Sequence, residues 1–197
     1  MMINERLVYT IGHSTQPLER FLQLLRMHDV TAVADVRSSP YSSHLPQYCI
    51  DELETSLNSA GIAYVFLGEE LGARSKDESC YVDGIVSYEK LANTSLFRKG
   101  IERVEHGCDR YRIALMCSER DPTECHRTIL VSRVLAERGA DVRHILSTGE
   151  LESHKETMLR VLDVLGMPRE DMLNSQDELV AQAYGGREKQ IAYRRAG

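Results

Sequence analysis

Two cysteines, a histidine and an arginine fall within eleven residues, CSERDPTECHR at 117–127, between the apolar run RIALM and the apolar, helix-like run TILVSRVLAERG. A strand-to-helix corner needs only turn formers such as Gly, Asn or Asp, so this corner reads as a site. Thiols act as nucleophiles or redox groups in the thiolate form, and the unpaired N–H groups and dipole of a helix start favour that form. Cys117 and Cys125 are therefore both expected to have lowered pKa values, with Cys117 as the nucleophile or redox thiol, Cys125 supporting it and His126 as acid or base. Arg127 is always charged and needs an acceptor such as Asp35, Glu119 or an anionic ligand.

Other strand ends carry similar residue types. Gly12-His13-Ser14 follows one apolar run, Asp35-Val36-Arg37 a second, Gly68-Glu69-Glu70 a third and Cys117-Ser118-Glu119 a fourth. Ligands of open parallel sheets bind beyond the carboxyl ends of the strands, so these four corners are expected to converge on one crevice. His13 joins Cys117 and His126 as a catalytic candidate. Arg37, Arg127 and Ser14 are expected to hold an anion, while Gly12, Asp35, Gly68, Glu119 and Cys125 support the site. A phosphate-cradling cysteine loop is excluded because Thr123 stands six positions after Cys117, where an arginine is needed. Seven residues separate the cysteines, without a CxxC or HxxxH pair, so no metal ligand is assigned and no cofactor is indicated.

The elements that must position these residues follow from hydrophobic periodicity. Strands are expected at 7–11, 31–36, 62–67, 112–116 and 142–146, and helices after Pro17 and near 51–60, 87–105, 123–138 and 153–165. Asp121, Pro122 and Glu124 are placed as N-cap, first and third residues of the helix at 123–138. The expected fold is α/β: a mainly parallel sheet of about five strands with helices on both faces, plus a C-terminal helical tail. The division is a single domain over 1–167 and a helical, basic tail over 168–197, with a helix to Tyr184 and a break at Gly185-Gly186.

A formal charge of −6 counts against long nucleic acid and anionic membranes as partners, though a local basic patch is compatible with it. No run of ~18 apolar residues exists and the first residues lack a basic, apolar leader, so no membrane association is expected. Five cysteines at irregular spacing suit reduced thiols in a cytoplasm. Nothing in the sequence gives an oligomeric state.

Taken together, TIGHST, ADVRSSP, FLGEELGARS, YEKLANTSLF, LMCSERDPTECHR and the ending IAYRR resemble a family of small bacterial and archaeal proteins, the domain-of-unknown-function family 488. The resemblance implies an α/β fold and a shared site without naming a reaction. It adds Pro40, Gly72 and Arg74 to the residues above, with Arg74 as a further anion-binding side chain. The chain departs from the family pattern at YSSHLPQY, where a more basic run is usual, and at Ala73, where a glycine is usual.

The functional expectation is a small-anion site, of phosphate or nucleotide type, at the carboxyl edge of the sheet, with a cysteine-dependent enzyme as the favoured reading of its chemistry. Two alternatives stay open: a noncatalytic binder of nucleotides or nucleic-acid ends, and a Cys/His protein that responds to metal or redox state.

Overall fold

The computed structural model describes residues 6–195, so the expectation about the first residues of the chain lies partly outside the described residues. The elements in order are β1 (Leu7–Gly12), α1 (Leu18–Met27), β2 (Ala32–Asp35), α2 (Ile50–Ser59), β3 (Ala63–Phe66), α3 (Gly68–Leu71), β4 (Tyr81–Val82) and β5 (Ile85–Val86). They continue with α4 (Tyr88–Ala92), α5 (Ser95–Gly107), β6 (Ile113–Cys117), a π-helical segment Arg127–Ser132 running into α6 (Arg133–Glu137), β7 (Asp141–Ile145), β8 (Leu151–Ser153), α7 (His154–Val164) and α8 (Gln176–Ile191).

The main sheet has the order β3-β2-β6-β1-β7-β8, with β8 alone antiparallel to its neighbour. Continuous burial along β1, β2 and β6 reflects cover on both faces. Phe21 and Leu25 of α1 and Leu53 and Leu57 of α2 pack with Tyr9, Ile11 and Val33 on one face. Phe97 and Ile101 of α5, Leu135 of α6 and Val161 of α7 pack with Val8, Ala34 and Leu115 on the other.

This division creates the crevice. From β1 the chain crosses through α1 to β2, and from β6 it crosses through α6 to β7, so two adjacent parallel strands send their loops to opposite faces. A gap opens at the carboxyl ends where such loops part. Gly12 stands beside Cys117 in register, and Asp35 beside Met116.

Three expectations need correction. The sheet has six strands rather than about five, because the three-residue β8 is too short to show a period and forms by turning back after Gly149, at φ +100°. The segment 123–138 is not one helix: Asp121 caps a single 3-10 turn, Pro122–Glu124, and the helical run starts only at Arg127. Nor do Gly185 and Gly186 break the tail, for α8 runs through them to Ile191. Each glycine costs a helix about 1 kcal/mol relative to alanine. Burial of Leu179, Ala183 and Tyr184, with the Ser175–Glu178 capping box, outweighs that cost.

Helix α8 packs on α7, and the residues after it lie along the β4–β5 hairpin, where Val86 N–H donates to the Tyr193 carbonyl at 3.0 Å. The end of the described chain thereby reaches the crevice. No helix among the described residues is long and apolar enough to cross a membrane.

Candidate functional site

Strand alternation splits the polar residues into two groups that meet at the crevice. On the α1/α2 side, the Asp35 carboxylate accepts from Arg37 Nε at 2.9 Å, from Arg37 Nη2 at 2.6 Å and from the Tyr64 hydroxyl at 2.9 Å. Both members of the ion pair are buried. Arg37 Nη1 is left to face His13 Nε2, 3.2 Å away, while His13 Nδ1 donates to the Ser14 carbonyl at 2.7 Å. The ring is thus a neutral acceptor. Burial drives its pKa down to about 4, the Ser14 carbonyl works against that, and the Arg37 charge adds to it. His13 stacks on Tyr48 at a centroid distance of 4.1 Å.

On the other side lies the corner at 117–127. Cys125 is extended, with φ −127° and ψ 141°, and its carbonyl receives the N–H groups of Thr128 and Ile129. This break between the 3-10 turn and the helical run folds Cys125 back beneath Cys117. His126 Nδ1 stands 3.6 Å from Cys117 Sγ and 3.9 Å from Cys125 Sγ, and Glu119 Oε2 accepts from the Cys125 thiol at 2.9 Å. His126 Nε2 faces the Val36 carbonyl at 3.0 Å.

The charge distribution reverses one expectation. Cys117, expected to have a lowered pKa, is held well above the ordinary thiol value by burial, by its hydrogen bond to Cys125 and by the negative charge of Cys125 and Glu119. Cys125 is the thiol held down. Burial opposes its ionisation, but the Cys117 hydrogen bond, the Arg127 charge and His126 prevail. Burial also raises Glu119, helped by Cys125, while His126 is raised by Cys125 and Glu119 against the opposing effect of burial.

Arg127, expected as an anion clamp, is only 1% exposed. It is turned inward: Nη1 donates to the Glu119 carbonyl at 2.7 Å, Nη2 to the Arg120 carbonyl at 3.4 Å and Nε to Thr10 Oγ1 at 3.4 Å. Its charge is spent on the loop that carries Glu119.

Arg74 differs. It is exposed, no carboxylate among the described residues pairs with it, and its guanidinium lies 4.8 Å from the Tyr193 ring centroid. Its backbone N–H donates to Ser38 Oγ at 3.0 Å. A cavity of about 180 Å3 lies here, with Arg37 and Arg74 on its walls and Cys117, Glu119 and His126 among its lining residues. Ser14 lies in the adjoining groove with His13, Arg37 and Arg74.

The glycines act through close approach. A Cβ on Gly12 would stand 1.8 Å from the Glu119 carbonyl oxygen, and one on Gly68 would stand 2.0 Å from that of Arg37. Gly72 likewise leaves room for Ser38. Buried Pro40 accepts from the Ile50 N–H at 3.1 Å, which ties the loop after β2 to α2.

Sequence reasoning missed Tyr48, Tyr64 and Tyr193 as site residues. Tyr64 sits within the strand-forming run IAYVFL and Tyr193 within the ending IAYRR, so each had a visible place but no visible partner. It also left out Glu119 as a partner of the Cys/His alternative, since Cys117, Glu119, Cys125 and His126 each offer one ligating atom within 4.8 Å of the others. Linear spacing hides this because the extended Cys125 reverses the corner.

Comparison with curated proteins and with solved structures gives no match. The pattern of one family matches residues 17–134, a span holding Arg37, Arg74 and the whole corner from Cys117 to Arg127, and the chain belongs to that family, described as Domain of unknown function DUF488.

Proposed function

We propose that the crevice binds a small phosphate- or nucleotide-type anion between Arg37 and Arg74, and that Cys117, Glu119 and His126 of its lining, with Cys125 buried beside them, act on that ligand. The observation that carries this reading is the placement of two arginines, Arg37 and Arg74, in the lining of one cavity that also holds the Cys117 thiol and the His126 imidazole. Arg37 is pre-aimed by Asp35, and Arg74 has no carboxylate partner among the described residues. One guanidinium held in place by Asp35 and a second without a carboxylate partner among the described residues suit an anion better than a neutral ligand. Tyr41, 66% exposed beside Ser14 and Arg74, offers a flat apolar surface to a base.

Enzyme is favoured over passive binder because a thiol held towards thiolate, an imidazole and a carboxyl lie beneath the same cavity. With Arg127 spent internally, the clamp consists of Arg37 and Arg74. The test is calorimetric titration with inorganic phosphate and with a nucleoside monophosphate. Arg74→Met is expected to weaken binding roughly tenfold to a hundredfold, the usual worth of a charged hydrogen bond. Equal binding by the parent and the variant would remove Arg74 from the site, and no binding of either ligand would end the reading.

A further inference from the structure

We propose that Cys117, Cys125 and His126 bind a divalent ion of the zinc class, with Glu119 on the open side as an exchangeable fourth ligand. The ion takes the same four side chains that the anion reading sets to act on its ligand, but the inference needs neither Arg37 nor Arg74, so anion binding and metal binding fail separately. One ligand atom from each of the four residues lies within 4.8 Å of all the others. A tetrahedral ion with bonds of ~2.3 Å to sulfur and ~2.0 Å to nitrogen separates those two ligand types by ~3.5 Å. The sulfur-to-nitrogen distances here are 3.6 Å for Cys117 and 3.9 Å for Cys125. Glu119 Oε2, 2.9 Å from Cys125 Sγ, is nearer than a shared ion allows, so the carboxylate moves outward by a few tenths of an ångström when the ion enters.

The surroundings supply a second, independent observation. His126 faces the Val36 carbonyl through Nε2 at 3.0 Å, which fixes the tautomer with the proton on Nε2 and presents the Nδ1 lone pair to the two sulfurs. A ligating histidine is oriented in this way by a carbonyl or carboxylate behind it. The Arg127 backbone N–H points at Cys125 Sγ at 3.4 Å, and the buried Arg127 guanidinium lies on the same corner. Two thiolates and a carboxylate exceed the ion's charge by one, and Arg127 offsets that excess. Two sulfurs and an imidazole select a soft or borderline metal over calcium or magnesium. The ion reaches its ligands through the cavity lined by Cys117, Glu119 and His126.

Binding forms two metal–sulfur bonds: the Cys117 thiol gives up its proton, the proton held between Cys125 and Glu119 leaves as well, and no oxidation state changes. The experiment uses the full chain, kept reduced, stripped with a chelator and titrated first with cobalt(II) and then with zinc(II). Expected are one cobalt per chain with thiolate-to-metal charge-transfer absorption, its displacement by zinc and the release of two protons. Folded Cys117→Ser and Cys125→Ser variants should lose the absorption, and Cys49→Ser should keep it. If the cluster variants do not fold, X-ray absorption at the zinc edge of the parent decides, with two sulfurs at ~2.3 Å expected. An oxygen- and nitrogen-only shell, an unchanged spectrum in folded cluster variants, or no tight uptake by the reduced parent would overturn the proposal.

Discussion

Arg127 Nη1 lies 2.7 Å from the Glu119 carbonyl oxygen, so the most deeply buried guanidinium of the crevice holds the protein's own loop and not a ligand. Arg127→Met keeps most of the apolar stem but leaves buried acceptors at Glu119, Arg120 and Thr10 without their donor. A loss on the order of 3 kcal/mol is expected. Urea unfolding checks it. A variant of undiminished stability that has lost phosphate binding would restore Arg127 to the role of anion clamp.

The positions of the glycines yield a pair of opposite outcomes. Gly12→Ala drives a methyl group into the Glu119 carbonyl and should cost several kcal/mol, on the order of 3 or more, by pushing β1 away from the corner. Gly185→Ala meets nothing within 4 Å inside α8 and should stabilise the protein by about 0.5 to 1 kcal/mol. Thermal unfolding of the two variants is sufficient. A stabilised Gly12→Ala would show that the two loops are not in contact.

Much of the scaffold was legible in the sequence, and the reasons are local. The five parallel strands are short apolar runs bounded by polar corners, and the four corners carrying His13, Arg37, Gly68 and Cys117 do gather at one edge. What stayed hidden depends on the backbone between motifs. Helical phase placed Arg127 on the buried stripe, but its direction depended on Cys125 being extended, which no periodicity reveals. For the same reason a lowered pKa was expected of both thiols, whereas the Arg127 N–H falls on Cys125 alone and Cys117 is held up. The helix through Gly185 and Gly186 is set by packing on α7, a tertiary effect outside the reach of local propensity.

Acid should unfold this protein through its buried histidines. Thr10, His144, His154 and Tyr184 form a buried hydrogen-bonded chain with links of 2.7, 3.1 and 2.7 Å. Burial lowers His154 to about 4 and His144 well below its ordinary value, the latter aided by His154, Arg127 and Arg160. Between a folded pKa of about 4 and an unfolded value of 6.5, the unfolded state binds the proton and the folded state does not. Stability is therefore full above that window and declines as pH falls through it, by about 2 kcal/mol for His154 near pH 5, with His144 acting in the same direction. Urea midpoints measured from neutral to acidic pH should fall accordingly, with a shallower slope in His154→Gln. An equal slope in parent and variant would mean that His154 titrates normally in the folded protein.

A crystal of the full chain soaked in inorganic phosphate tests the central claim most directly. The anion reading predicts tetrahedral density within hydrogen-bond reach of Arg37 Nη1 and the Arg74 guanidinium, above Cys117 and His126, at a position where Arg74→Met crystals show none. Phosphate bound only at other surface cations, with water alone between Arg37 and Arg74, would contradict it.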